Sequence, residues 1–537
     1  MNRSDPRAAA QSALAQTPIE TTGLIEYDAG HRLLVIGQDP ALIRHAVQQA
    51  APLRTAVLCL ATENVSHRPL ADATTWYATR DAVELDGWLG AFRLRLSDQG
   101  DGEARFDQVL DLSEWPLFGS ELPPPGYLTA TAADLDDRLA TLRDLTGRFE
   151  KPKYFRYDPD ICAHGMKGAT ACTRCIDACP ADAISSLVDR VQVEPHLCQG
   201  GGACATACPS GAMTYSYPSV EDSLERMRRM LRGYREAGGE APILLLHDAE
   251  TGTALADALL RADTETARRL LPFALEELAS LGIEAWLTAL AYGACAVRLL
   301  GHGGIPAASR AVLDEQLVLG RAILDGLGYP ADALGWTAHA REDGQAPEHR
   351  GAEMPGIDPA RHAALGGKRQ ILFQAIDHLH DQAARQAQSA EAALPLPDGA
   401  PLGTVLVDDK RCTLCMACVT VCPGKALQHG QDVPQLRFLE ASCVQCGLCV
   451  QSCPESAVQL TPRLLLDAQA RNSPRLMNED SPFHCMRCGS AFATRSVIGR
   501  MQERLAEHAM FATPEARRRL QMCGDCRVAD MMQAGEL

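Results

Sequence analysis

Cys412, Cys415, Cys418 and Cys422 are spaced C-x2-C-x2-C-x3-C with Pro423 following, and Cys443, Cys446, Cys449 and Cys453-Pro454 repeat the spacing. Three thiolates two residues apart let a short loop wrap three irons of one cubane, while the fourth points away and reaches a second cluster. By this crossing, Cys412, Cys415, Cys418 and Cys453 are expected to hold one 4Fe-4S cluster, and Cys443, Cys446, Cys449 and Cys422 the other. Zinc needs only four ligands in two pairs, and disulfide frameworks belong to oxidising compartments. The doubled eight-cysteine pattern favours iron–sulfur over both. The prolines end each loop with a fixed φ, and Gly447 lets backbone amides approach the inorganic sulfur.

An earlier block carries the same unit in altered form. Nine residues separate Cys162 from Cys172, and Cys175 and Cys179-Pro180 follow. The second half reads Cys198, then Gly201 where a cysteine is expected, then Cys204 and Cys208-Pro209. Cys162, Cys172, Cys175 and Cys208 are expected to complete a 4Fe-4S site. Cys179, Cys198 and Cys204 are left to hold a 3Fe-4S cluster, a 4Fe-4S cluster with a water or side-chain ligand, or an empty structural loop. His164 and His196 stand near as candidate fourth ligands or as ordinary loop histidines. Cys-Pro-x-x-Ala followed by an apolar residue occurs four times, at 179–184, 208–213, 422–427 and 453–458, which marks a duplicated unit.

A third group comprises Cys485-x2-Cys488-Gly489 and Cys523-x2-Cys526, with 34 residues between the pairs. Two Cys-x-x-Cys pairs around a helix-containing insert suit a closed tetrahedral zinc site. The same thiolates could take a further iron–sulfur cluster. Only Cys59 and Cys295 of the 21 cysteines stand apart, and both read as small buried hydrophobes in strand-like runs.

The elements that must position these groups follow from the apolar pattern. A chain of 537 residues with 46% hydrophobic and 22% charged residues is expected to form several globular domains. Residues 1–25 read as a disordered tail and 26–130 as a small α/β domain with strands near 32–37, 55–60 and 106–112. An amphipathic helix is expected over 132–149. The first cysteine block spans 154–217. A second α/β domain spans 240–340, opening at Ile243-Leu244-Leu245-Leu246-His247-Asp248. A polar loop over 341–357, a helix near 359–392 and a Pro-rich linker make up 341–403. The complete dicluster block follows at 404–462 and the paired-CxxC module at 480–537. The fold class is thus α/β multidomain, interleaved with two α+β dicluster units and a zinc-knuckle module.

The net charge of −17 disfavours binding to a phosphate backbone, so no nucleic-acid partner is expected. The longest apolar run, 285–297, is too short to span a bilayer. No signal-peptide core or twin-arginine pair is seen near the start, so a cytoplasmic location is expected. The α/β segments lack a G-x-G-x-x-G turn. The loops at Leu300-Gly301-His302-Gly303-Gly304-Ile305-Pro306 and Asp248-Ala249-Glu250-Thr251-Gly252 follow strands where α/β folds place ligands, although an ordinary turn and a helix cap are the favoured readings.

Residues 404–462 resemble bacterial 2(4Fe-4S) ferredoxin domains, which implies single-electron transfer at the clusters. The whole arrangement is similar to the large 4Fe-4S binding proteins associated with proteobacterial formate dehydrogenases. The stretches that carry this are 171–180, Pro195-His196-Leu197-Cys198-Gln199-Gly200 and Phe483-His484-Cys485-Met486-Arg487-Cys488-Gly489. The resemblance implies an electron carrier or oxidoreductase subunit rather than a stand-alone enzyme, with a redox protein, formate dehydrogenase by this likeness, as partner. A flavin- or nucleotide-binding oxidoreductase subunit and a maturation scaffold for a metalloenzyme are the alternatives. No catalytic residue is assigned.

Overall fold

A computed structural model describes residues 5–534 except 21, 61–73, 98–101, 167, 263, 338–352, 385–391 and 432. Most of the loop expected over 341–357 lies outside the described residues.

The run Arg32–Gly37 is apolar almost throughout because it is a parallel strand covered on both faces. Its neighbours are Arg54–Leu60 on one side and Gln108–Asp111 on the other, with Thr74–Ala78 and Tyr127–Thr129 at the edges. Successive side chains alternate faces. Leu33 and Val35 meet the helices Pro40–Gln49 and Leu135–Asp144 through Ile43, Ala46, Leu139 and Leu142. Leu34 and Ile36 meet Phe92, Leu94 and Phe106 of a separate three-stranded antiparallel sheet. Asp39 caps the first helix by accepting from the Ala41 amide, with Pro40 at the opening turn.

The helix expected over 132–149 stops at Asp144. Gly147–Pro152 instead forms a strand antiparallel to Leu24–Ala29, which carries the first domain past the expected limit of 130. The leading segment also departs from expectation. Pro6–Ala15 is a helix rather than part of a disordered tail. It lies against the helix Val220–Glu236, where Gly233 admits Ala13 closely, and Gln11 donates to the Pro272 carbonyl.

The second α/β domain has four parallel strands in the order Leu270–Leu275, Ile243–Asp248, Ala296–Leu300, Leu334–Thr337. The apolar run 285–297 is the wholly buried helix Ile283–Ala291 leading toward the third of these strands. Leu224, Met227, Leu231 and Tyr234 recur at helical spacing and turn one face of Val220–Glu236 into the same core. The helix expected near 359–392 is Lys368–Ala384, and it packs on Ile283–Ala291. This core reaches Ala178, Ala203 and Ala207 of the first cysteine block, and Leu464 and Leu466 beyond the second, so both blocks are seated on one scaffold. The fold is therefore mixed helix and strand. Among the described residues, no helix is long and apolar enough to cross a membrane.

Arg471 fastens the exit of the second block to this scaffold. Its side chain is 1% exposed, and its Nη2 donates to both Asp377 carboxylate oxygens at 2.6 and 2.7 Å. Nη1 donates to the Leu465 carbonyl, and the guanidinium lies 4.3 Å above the Phe373 ring. Removing one partner of a buried pair leaves the other uncompensated. Asp377→Ala should therefore lower stability by about 3–5 kcal/mol in urea unfolding. A loss below about 1 kcal/mol, the range of an exposed pair, would show that the ion pair is superficial.

Candidate metal centre

The second block packs each of its eight thiols into one of two groups. Cys412, Cys415, Cys418 and Cys453 line one cavity. Cys422, Cys443, Cys446 and Cys449 line another. These are the crossed sets expected from spacing. Short helices at Ala417–Thr420 and Leu448–Gln451 set the third thiol of each half, and the two helices lie side by side. Burial, with the charges of Cys412, Cys415 and Cys453, pushes the Cys418 thiol up to about 12. Burial and the charges of Cys443, Cys446, Cys422 and Cys418 likewise raise Cys449. Thiols so placed carry thiolate charge only beside compensating positive charge. That donor chemistry fits an iron–sulfur core. Sulfur acceptors also receive polar hydrogens: the Ala457 amide donates to Cys453 Sγ at 3.3 Å and Gln445 Nε2 to Cys443 Sγ at 3.2 Å.

The backbone holds a pattern that composition does not reveal. The second residue after Cys412 and after Cys443 is left-handed, at Leu414 (φ +58°) and Gln445 (φ +56°). So is the fourth, at Met416 (φ +60°) and Gly447 (φ +86°). Non-glycine residues enter this region at a cost, and such strain gathers at functional sites. The first block repeats the pattern after Cys198 at Gly200 (φ +81°) and Gly202 (φ +75°). Gly201 thus occupies the place of Cys415 and Cys446. The third residue after the cysteine of every Cys-Pro turn is left-handed too, at Asp182, Gly211, Lys425 and Ser456.

In the first block, the nine-residue loop between Cys162 and Cys172 contains a hairpin. Gly165 and Met166 pair with Thr170 and Ala169. The Ala171 amide donates to the His164 carbonyl and the Cys172 amide to the Ala163 carbonyl, which returns Cys172 beside Cys162. Burial and the charges of Cys208, Cys172 and Cys162 push Cys175 up to about 12, so these four thiols share one neighbourhood. Cys204 is raised by burial and then by Cys198 and Cys179, which forms the second, three-thiol group.

Of the two candidate histidines, His164 has no ring nitrogen left for a metal. His164 is 1% exposed and uses both ring nitrogens, Nδ1 with the Cys172 carbonyl and Nε2 with Ser186 Oγ. His196 stacks on Trp88 at 4.5 Å and bonds Glu194 through Nδ1. Spacing gives no hint of the groups that hold this loop. Lys151 Nζ donates to the His196 and Cys198 carbonyls, and Gln199 donates to the Pro123 carbonyl.

The two blocks meet. Arg369 donates to the carbonyls of Ala441 and Cys443 at 2.9 Å and of Pro401 at 3.1 Å, with the Pro209 carbonyl at 3.5 Å. Arg174, next to Cys175, donates to the Gly399 carbonyl. Burial and the charges of Cys422, Cys443 and, from the first block, Cys172 push Cys446 up to about 11.

The third group is built differently. Cys485, Cys488, Cys523 and Cys526 bring all their Sγ atoms within 4.8 Å of one another, the one such metal-ligand group among the described residues. Cys488 and Cys523 Sγ are 3.7 Å apart. Tetrahedral thiolates at 2.3 Å from one ion lie about 3.8 Å apart. The spacing fits a single ion, whereas thiolates around a cubane stand farther apart. The module rests on the second block, with Thr494 Oγ1 donating to the Thr413 carbonyl and Asn478 to the Cys412 carbonyl.

The glycine loop offers a sharp contrast. A Cβ on Gly202 would lie 2.5 Å from Ser280 Cα, whereas one on Gly201 would meet only Pro180 Cγ at 3.7 Å. Gly202→Ala should cost about 2–4 kcal/mol through the left-handed φ and the clash, and Gly201→Ala under about 1 kcal/mol. Urea midpoints of the two variants check this, and equal losses would contradict the docking of the loop on Ser280.

Residues 411–457 match the 4Fe-4S dicluster domain family. No curated protein matches the chain. The chain carries a ferredoxin-type iron–sulfur domain in that segment, and such a domain supports a role in electron transfer.

Proposed function

We propose that the chain is a multi-cluster electron carrier passing single electrons between a redox enzyme and an acceptor. The observation that carries this reading is the contiguity of the thiol groups. The charge of Cys175 bears on Cys204, that of Cys172 on Cys446 and that of Cys418 on Cys449, so each group of thiols lies within electrostatic reach of the next. Together these relations place four sites in one file. The order is Cys179/Cys198/Cys204, then Cys162/Cys172/Cys175/Cys208, then Cys422/Cys443/Cys446/Cys449, then Cys412/Cys415/Cys418/Cys453. The proposed occupants are three 4Fe-4S clusters and, at the three-thiol site, a 3Fe-4S cluster or an incompletely ligated 4Fe-4S cluster. The clusters supply the redox change. The chain's own residues hold the thiolates, shield them from water and direct amides to sulfur.

The proposed occupant of Cys485, Cys488, Cys523 and Cys526 is structural zinc, supported by the short sulfur spacing. The proposed domains follow the boundaries read from sequence, with the first α/β unit extended to 152. The resemblance at 171–180 and 483–489 makes a formate dehydrogenase the proposed partner. The nucleotide reading draws no support from the helix Ala307–Gly326. Its leading amides at Ala307 and Ala308 already donate to the Glu121 carboxylate, where a phosphate would sit.

Metal analysis with a redox titration followed by EPR, on anaerobically prepared protein, tests the reading. Several reducible iron–sulfur signals are expected, together with about one zinc per chain. Iron that binds but never changes redox state would overturn it. Cys523→Ser should release the zinc and leave the iron and its signals in place; loss of iron with it would assign that group to a cluster.

A further inference from the structure

The strand Ile243–Asp248 comes first in its sheet and lies between the second and third strands, Leu270–Leu275 and Ala296–Leu300, so the chain changes sides around it and the loops after the first and third strands diverge at the carboxyl end of the sheet. Open α/β sheets bind ligands at such a point. A cavity of about 280 Å³ lies there. Asp248 ends the strand with Glu250 just after it, and Glu276 and Glu277 follow the end of the neighbouring strand Leu270–Leu275. No lysine or arginine lines it. His302 is engaged within the protein, its Nδ1 with the Gly304 amide and its Nε2 with Asp248.

Two further groups point to an occupant. Tyr215 and Ser309 line the cavity, each 3% exposed, and neither hydroxyl has a partner in the protein. Buried hydroxyls ordinarily find one. Tyr154 and Tyr215 stand side by side on the wall, their rings 6.1 Å apart and 23° from parallel. Aromatic faces and carboxylates together recognise organic cations. A bare metal ion is disfavoured, because the carboxylate oxygens do not converge within 4.8 Å as the C-terminal thiols do. Phosphate-bearing cofactors are repelled by the same carboxylates. The wall shared with the three-thiol loop is the backbone of Gly200 and Gly201, so the cavity abuts that loop with no intervening side chain.

We propose that this cavity is a binding site for a small organic ammonium ion, held by Glu276, Glu277 and Asp248 beside the rings of Tyr154 and Tyr215 and the unpartnered Tyr215 and Ser309 hydroxyls. Burial, reinforced by the charges of Asp248, Glu250 and Glu276, pushes the Glu277 carboxyl up to about 7, so it is partly protonated near neutral pH. A bound cation favours the carboxylate and releases that proton.

Isothermal titration of the full-length, anaerobically prepared protein with methylammonium and tetramethylammonium chloride tests this, with sodium chloride at equal ionic strength and FMN as comparisons. One ammonium ion per chain is expected, with proton release seen as a difference between two buffers of unlike ionisation enthalpy. Glu276→Gln/Glu277→Gln should weaken binding at least about tenfold and abolish the proton release. The rim variant Glu250→Gln, which leaves the buried wall intact, should weaken it about two- to threefold. No saturable binding, affinity unchanged in both variants, or tighter binding of FMN or of sodium would overturn the proposal.

Discussion

Everything in this molecule is arranged around thiols that are buried beside other thiols. Burial alone disfavours thiolate charge, and like charges nearby disfavour it further. A polypeptide keeps such groups together only when its own elements leave them no alternative and a positive core compensates them. The left-handed residues Leu414, Met416 and Gln445 are local conformations that few side chains choose freely. They turn three thiols of each loop inward. The amides and the Gln445 side chain that donate to sulfur then offset part of the remaining charge.

The same constraint explains how the two blocks are joined. A positive side chain with planar donors suits a junction made of backbone carbonyls. Arg369 fills that role by drawing Ala441, Cys443 and Pro401 together beside Pro209. Lys151 does likewise at the other end, on the carbonyls of His196 and Cys198. The blocks are not equivalent. The second presents Cys415 at the surface and carries the CxxC module over its outer loop. The first ends at a glycine loop pressed between Tyr154 and Ser280.

The sequence disclosed the chemistry better than its placement. Ligand spacing is local, so the crossed sets of the second block could be read directly from Cys412 to Cys453, and parallel strands buried on both faces announced themselves as unbroken apolar runs. The hairpin at 165–170 was hidden because its effect is to cancel an insertion, returning Cys172 to Cys162. The helix Pro6–Ala15 was missed because its stability comes from packing on Val220–Glu236 rather than from its own composition. His164 could be judged only when Ser186 and the Cys172 carbonyl were seen to use both ring nitrogens. Glu121 capping a helix some 186 residues away, and Arg369 joining the Pro209 and Cys443 carbonyls of the two blocks, are tertiary facts with no local signature.

The central claim is that the two blocks form one continuous file of proposed redox sites across the junction held by Arg369, where Cys172 and Cys446 lie within electrostatic reach of each other. Spin–spin interaction between reduced clusters, measured by EPR line shape and power saturation on the full chain and on Cys446→Ser, tests it most directly. The account predicts broadened, fast-relaxing signals in the full chain, and a slower-relaxing, sharper signal from the Cys162/Cys172/Cys175/Cys208 site once its neighbour across the junction is disrupted. A signal from that site that is already sharp in the full chain, and unchanged in the variant, would contradict it.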